Sequence, residues 1–148
     1  MATFKQRMML RLINYWPPLA AAGIHVRWSP DMKSADVSMK MRPWNRNFVG
    51  THYGGSLYSM CDPFFMLILL KQLGPDYIVW DKAAHIRFRR PGKGTVHAEF
   101  RITDAQLDEI REQLQTVPKV EPVFTVEVKD ESGTVVAEVQ KVLHVRKK

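Results

Sequence analysis

The clearest periodicity in the chain is the alternation at residues 34–42. Ala35, Val37, Met39 and Met41 are apolar, while Ser34, Asp36, Ser38, Lys40 and Arg42 are polar. A period of two marks a half-buried antiparallel strand. A strand at residues 24–28 precedes it, separated by the turn residues Ser29-Pro30-Asp31. Further strands are predicted at 77–90, ended by Pro91-Gly92, at 95–103, around 124–128, and at 134–145. Asp130-Glu131-Ser132-Gly133 forms a hairpin turn between the last two. Residues 4–16 place Phe4, Met8, Leu12 and Tyr15 on one side, which predicts a helix stopped by Pro17-Pro18. Thr103-Asp104-Ala105-Gln106 has the spacing of a capping box. Leu107, Ile110 and Leu114 then mark a short helix closed by Pro118.

The remaining element breaks the polar–apolar pattern. Residues 56–73, opened by Gly54-Gly55 and closed by Gly74-Pro75, are apolar almost all round. A helix with no polar face is buried on every side. Strands that follow one another without alternating helices indicate an antiparallel sheet and an α+β class. The sheet must therefore curl around this helix.

Composition changes this picture little. The 148 residues are 45% hydrophobic and 25% charged, which is ordinary globular usage and excludes disordered and collagen-like classes. A single domain is expected over 1–148, with an N-terminal helix and linker at 1–18 and a core at 24–146. The lone cysteine, Cys61, forbids an internal disulfide and fits a reducing, cytoplasmic setting. The longest apolar run, at 63–70, is too short to span a membrane, which takes about 20 residues. A net charge of +7 permits an anionic partner without choosing one. The basic residues interleave little with aromatics, so nucleic acid is not expected as a partner.

Chemistry concentrates in the apolar helix. Asp62 is its one carboxylate, and Pro63 beside it removes a backbone donor and crowds the preceding turn, so a kink or loosened turn is expected there. Two local rules broken side by side mark a candidate site. Gly54 and Gly55 stand at the helix start, where free N–H groups can face a developing oxyanion. Arg87, Arg89, Arg90 and Lys93 form the densest basic patch. The five histidines are scattered and share no ligand spacing with Cys61, so neither a metal nor another cofactor is expected.

Asn47, the Gly54-Gly55 pair and Asp62, with Asn47 fifteen residues before the aspartate, resemble the active-site pattern of PaaI-like hotdog thioesterases. Residues 86–94 resemble the strand and turn that follow the helix in that family. The His that precedes the glycines there is Tyr53 here, with His52 one place earlier. The resemblance implies a hotdog fold, a homodimer or dimer of dimers, and an acyl thioester of coenzyme A as substrate. It makes Asp62 the nucleophile or general base, the Gly54 N–H the carbonyl-polarising donor, and Asn47 a positioning group. Gly55, Tyr53, His52, Phe65 and Met66 would contact substrate, and Arg89, Arg90 and Lys93 the coenzyme phosphates. The apolar residues beyond Asp62 suggest a channel for a medium or long acyl chain, or an aromatic one. The alternative is an acyl-coenzyme A-binding or assembly module without turnover.

One physical argument bears on the dimer. Gly54 and Asp62 are eight positions apart, about 12 Å along a helix at 1.5 Å per residue. Reacting groups must approach to roughly 3–3.5 Å. One thioester cannot reach both groups on one helix, whereas two antiparallel helices related by a twofold axis could supply one each.

Overall fold

The computed structural model describes residue 8 and residues 10–148, and in it the alternating segments form one sheet. Its strands are β1 (Ile24–Trp28), β2 (Ser34–Lys40), β3 (Tyr77–Phe88), β4 (Thr95–Arg101), β5 (Lys119–Val120), β6 (Val123–Asp130) and β7 (Val135–Lys147). The order along the sheet is β1-β2-β4-β6-β7-β3, with β5 paired to β7, and all pairings are antiparallel. The helices are α1 (Pro17–Ala20), α2 (Gly54–Ser59), α3 (Phe64–Leu73) and α4 (Asp104–Thr116).

The alternation has the burial it predicts. Ala35, Val37 and Met39 of β2 and Val96, Ala98 and Phe100 of β4 are buried, and the residues between them face outward. On the inner face α3 packs by aromatic contacts. Phe64 lies 6.0 Å from Trp28 and 5.0 Å from Phe100, centroid to centroid, and Phe65 lies 5.1 Å from Phe100 and 4.9 Å from Phe124. Offset and tilted aromatic pairs at these separations add to the area they bury.

The long apolar helix is two helices. α2 ends in tight i→i+3 bonds, from Cys61 N to Tyr58 O and from Asp62 N to Ser59 O, and α3 restarts after Pro63. Proline has no N–H to continue the ladder, so the expected kink is a full break that leaves Asp62 in a turn.

The N-terminal segment corrects the sequence reading. Residues 1–7 and 9 lie outside the described residues. A helical stretch reaches Arg11, a 3₁₀ turn covers Ile13–Tyr15, and Pro17 begins α1 instead of ending a helix. Proline suits the first turn of a helix, where its N–H would be unpaired anyway. Asn14 then fastens this segment to the sheet. Its amide donates to Val26 O at 3.0 Å and its oxygen accepts from Val26 N at 2.7 Å. That blunts the free edge of β1.

α4 starts as its sequence requires. Gln106 N donates to Thr103 Oγ1 and Thr103 N to Gln106 Oε1, completing the capping box. Leu107, Ile110 and Leu114 are buried. The two-residue strand β5 was not visible in the periodicity, because two residues are too few to show one.

Candidate active site

At the break between α2 and α3 the Asp62 side chain turns back toward the sheet. Its Oδ1 accepts from Tyr58 Oη at 2.8 Å and from Lys141 Nζ at 2.7 Å. Tyr58 stands one turn earlier on α2, so the pair follows i, i+4 geometry. Lys141 comes from the inner face of β7, between Val139 and Leu143, and its side chain is 0% exposed. Its ammonium also donates to Tyr58 Oη at 3.1 Å and lies 3.1 Å from Asp81 Oδ1. The contact with Asp81 is an ion pair without hydrogen-bond alignment.

Two opposing effects act on Lys141. Burial alone would favour the neutral amine, but its hydrogen bonds to Asp62 and Tyr58 and its pairing with Asp81 outweigh it and hold the ammonium above the ordinary lysine range. Burial pushes Asp81 up, with Lys141 opposing. Burial likewise pushes Tyr58 up, so it remains a neutral phenol. The Cys61 thiol, enclosed beside the site, is raised to about 12 by burial. It is not a nucleophile at neutral pH.

Asp62 is the exposed member of the group, with 48% of its side chain accessible. Oδ1 is tied down, while Oδ2 makes no hydrogen bond among the described residues. Met66, half-buried, and Leu70, exposed, follow along one side of α3. Phe65 faces the other way and is stacked into the core against Phe124.

Five of the remaining predicted residues, Asn47, His52, Gly54, Arg89 and Arg90, gather at the opposite end of α2, whereas Tyr53, Gly55 and Lys93 do not line the pocket there. An open pocket of about 350 Å³ is lined by Asn47, His52, Gly54, Phe88, Arg89 and Arg90, among others. Asp62 and Lys93 are not part of its lining. The Asn47 amide donates to Thr51 Oγ1 and its oxygen accepts from Val49 N and Thr51 N, so the side chain shapes its own loop. His52 is buried, and its Nε2 lies 2.9 Å from Gly94 O, which latches this loop to the turn after β3. A carbonyl can only accept, so Nε2 carries the proton and the buried Nδ1 has no partner among the described residues. Tyr53 lays its ring on Gly55, where a Cβ would come within 2.5 Å. The Phe88 ring covers Gly54, where a Cβ would come within 3.1 Å. Arg89 pairs with Glu138 at 3.4 Å. Arg90 and Lys93 are exposed, just past the end of β3 and in the turn after it.

A larger hollow of about 910 Å³ lies on the outer sheet face, lined by His25, Arg27, Asp36, His97, Glu99 and Lys129 among others. Its charges are mixed and it lacks the convergent groups of the helix break, so size does not make it the site. No group of three or more His, Cys, Asp or Glu able to hold a metal occurs among the described residues. No helix among them is long and apolar enough to cross a membrane.

With this geometry in place, comparison with known proteins supplies the family. Residues 5–145 match the family described as "Domain of unknown function (DUF4442)". The chain belongs to the DUF4442 family. Its fold is the hotdog fold. A Pseudomonas aeruginosa protein of unknown function, called a "Probable Thioesterase", matches with a TM-score of 0.82 and 22% identity. That match covers 100% of this chain and 97% of the other. The PaaI protein from the phenylacetic acid degradation operon of E. coli matches with a TM-score of 0.66 and 20% identity, over 97% and 94% of the two chains. A Haemophilus influenzae thioesterase matches with a TM-score of 0.68 and 14% identity, over 99% and 93%. No curated protein matches the chain. Identities this low carry the fold alone, so the DUF4442 chain's chemistry rests on its own residues.

The sequence reading missed Lys141 and Asp81. The signal was parity: along β7, Val139, Lys141, Leu143 and Val145 share the inner face, and on β3 Val79 and Asp81 do.

Proposed function

We propose that this DUF4442 chain hydrolyses acyl thioesters of coenzyme A at a site shared between two copies. The observation that carries the reading is Asp62 itself, a carboxylate at a helix break with one oxygen anchored and the other open. Asp62 draws a proton from water, whose oxygen attacks the thioester carbonyl carbon. The C–S bond then breaks, and the departing sulfur takes the proton back from Asp62 and leaves as the thiol. In the alternative path the carboxylate attacks directly, the C–S bond breaks with the thiolate leaving, and water then cleaves the resulting anhydride to free the acid and restore the Asp62 carboxylate. The Gly54 N–H of the second copy polarises the carbonyl oxygen. Arg89, Arg90 and Lys93 hold the phosphates. The stripe from Asp62 along Met66 to Leu70 suits a medium or long acyl chain.

The free edge of β3 supports a homodimer. β1 is capped by Asn14, but the twelve-residue β3 has no backbone partner on its outer side among the described residues. Trp44, Phe48, Val49, Tyr53 and Phe88 are exposed, more apolar surface than a lone domain usually shows in one loop and strand end.

A panel of acyl-coenzyme A esters, assayed for thiol release, tests the activity. Asp62→Asn should lower kcat/KM by at least about 10²-fold. Wild-type rates in the folded variant would make Asp62 structural. The Phe88 ring over Gly54 favours a second reading, in which the pocket binds acyl-coenzyme A without turnover. Tight binding across the panel with no thiol released would establish that one.

A further inference from the structure

Three costly features meet at one point. Lys141 occupies a core position of β7, flanked on the inner face by Val139 and Leu143. The register of β3 against β7 shifts between Asp81 and Ala83, with Lys82 as the extra residue. This bulge puts both Asp81 and Ala84 on the sheet face that carries Lys141, with Asp81 half-buried and the small, exposed Ala84 directly across from Lys141. The third feature is the break between α2 and α3 at Asp62. Replacing a buried ion-pair group by apolar residues is often neutral or stabilising, so fold stability alone does not call for this arrangement. Deviations that converge from three separate elements call for a use.

We propose that Lys141 is the positioning residue of the site: from the inner face of the sheet it fixes one carboxylate oxygen of Asp62 and links it to Asp81 on the edge strand, so that the other oxygen is presented to the thioester. The inference deepens the hydrolase reading and rests on it. The ammonium donates to Asp62 Oδ1 at 2.7 Å and to Tyr58 Oη at 3.1 Å, and its charge faces Asp81 Oδ1 at 3.1 Å. The ammonium also sits 5.3 Å from the Tyr58 ring centroid, which fixes its place from the helix side. Tyr58 accepts from Lys141 and donates to Asp62, so the phenol reinforces the same geometry. Lys141 touches no open surface and does not itself meet substrate. Asp81 connects the group to β3, the strand with the free edge.

The test compares wild type with Asp81→Asn, Lys141→Met and Lys141→Met/Asp81→Asn. Lys141→Met alone leaves two carboxylates without their cation and can fail to fold. The double variant removes one charge of each sign and keeps the group's net charge. Folding is checked by cooperative thermal unfolding. In the folded double variant kcat should fall by about 10- to 100-fold, the effect of misplacing a reacting group by about 1 Å. KM and the binding of a thioether analogue of the substrate should stay within about twofold, since the lost contact is not with substrate. Asp81→Asn should show the same kcat-only loss, smaller. A folded double variant with wild-type kcat overturns the inference and leaves the hydrolase reading standing. A loss confined to KM or to analogue binding also overturns it. Wild type that releases no thiol across the panel overturns both.

Discussion

The proposed chemistry turns on Asp62 and the residues that touch it. Lys141 was hidden in the sequence because Gln140 and Lys141 are adjacent polar residues in a strand, and only counting parity from Val139 and Leu143 puts the lysine inside. Asp62 was legible because its rule-breaking is local: a carboxylate and a proline in an apolar run. Cys61, its neighbour, gives a clean test of burial. Its thiol stays protonated up to about pH 12 in the folded chain, against 9.0 for an ordinary thiol. The folded chain thus keeps a proton that the unfolded chain releases first. The stability this contributes is complete below pH 9 and is lost as pH rises toward 12. Cys61 should resist a disulfide exchange reagent at pH 8 and react only at the rate of unfolding. Rapid stoichiometric labelling of the folded chain would mean that the thiol is open. Gly54 tests the other half of the site. In Gly54→Ala the methyl meets Phe88, an exposed ring that can move, so the fold should survive. The acyl oxygen should then be displaced from the N–H, lowering kcat/KM by about tenfold or more. An unchanged rate would mean that this N–H is not the donor.

At the scale of elements, periodicity located the strands to within about two residues, the usual blur of element ends. It failed where tertiary contacts decide. Pro17-Pro18 reads equally as a stop or a start, and the anchoring of Asn14 to β1 is a contact that periodicity does not encode. Pro63 was expected to bend one helix, and its missing N–H instead separates α2 from α3. α4 was fully legible because its signal is local, from the capping box to Pro118. Thr103→Ala should destabilise the fold by about 1 kcal/mol, the typical worth of such a cap. Thiol release at a temperature well below unfolding should not change, since α4 supplies no residue to the site. A fall in kcat would tie α4 to the chemistry.

At the scale of the whole molecule, the chain divides its candidate chemistry between the two ends of α2. Asn47, Gly54, Arg89 and Arg90 border one pocket, and Asp62 with Met66 lies beyond the other end. Sequence spacing already separated Gly54 from Asp62, and the fold adds an uncapped edge strand along which a second copy could pair. Light scattering should therefore report at least twice the 17.1 kDa of one chain at micromolar concentration. The most direct measurement is complementation between two inactive chains, Asp62→Asn and Gly54→Val, mixed through a dissociated state and allowed to reassociate. In a mixed dimer one of the two sites pairs an intact Gly54 with an intact Asp62, so an equal mixture should recover about a quarter of wild-type thiol release. No recovery, with mixed dimers demonstrated by native mass measurement, would contradict a hydrolytic site shared between two copies.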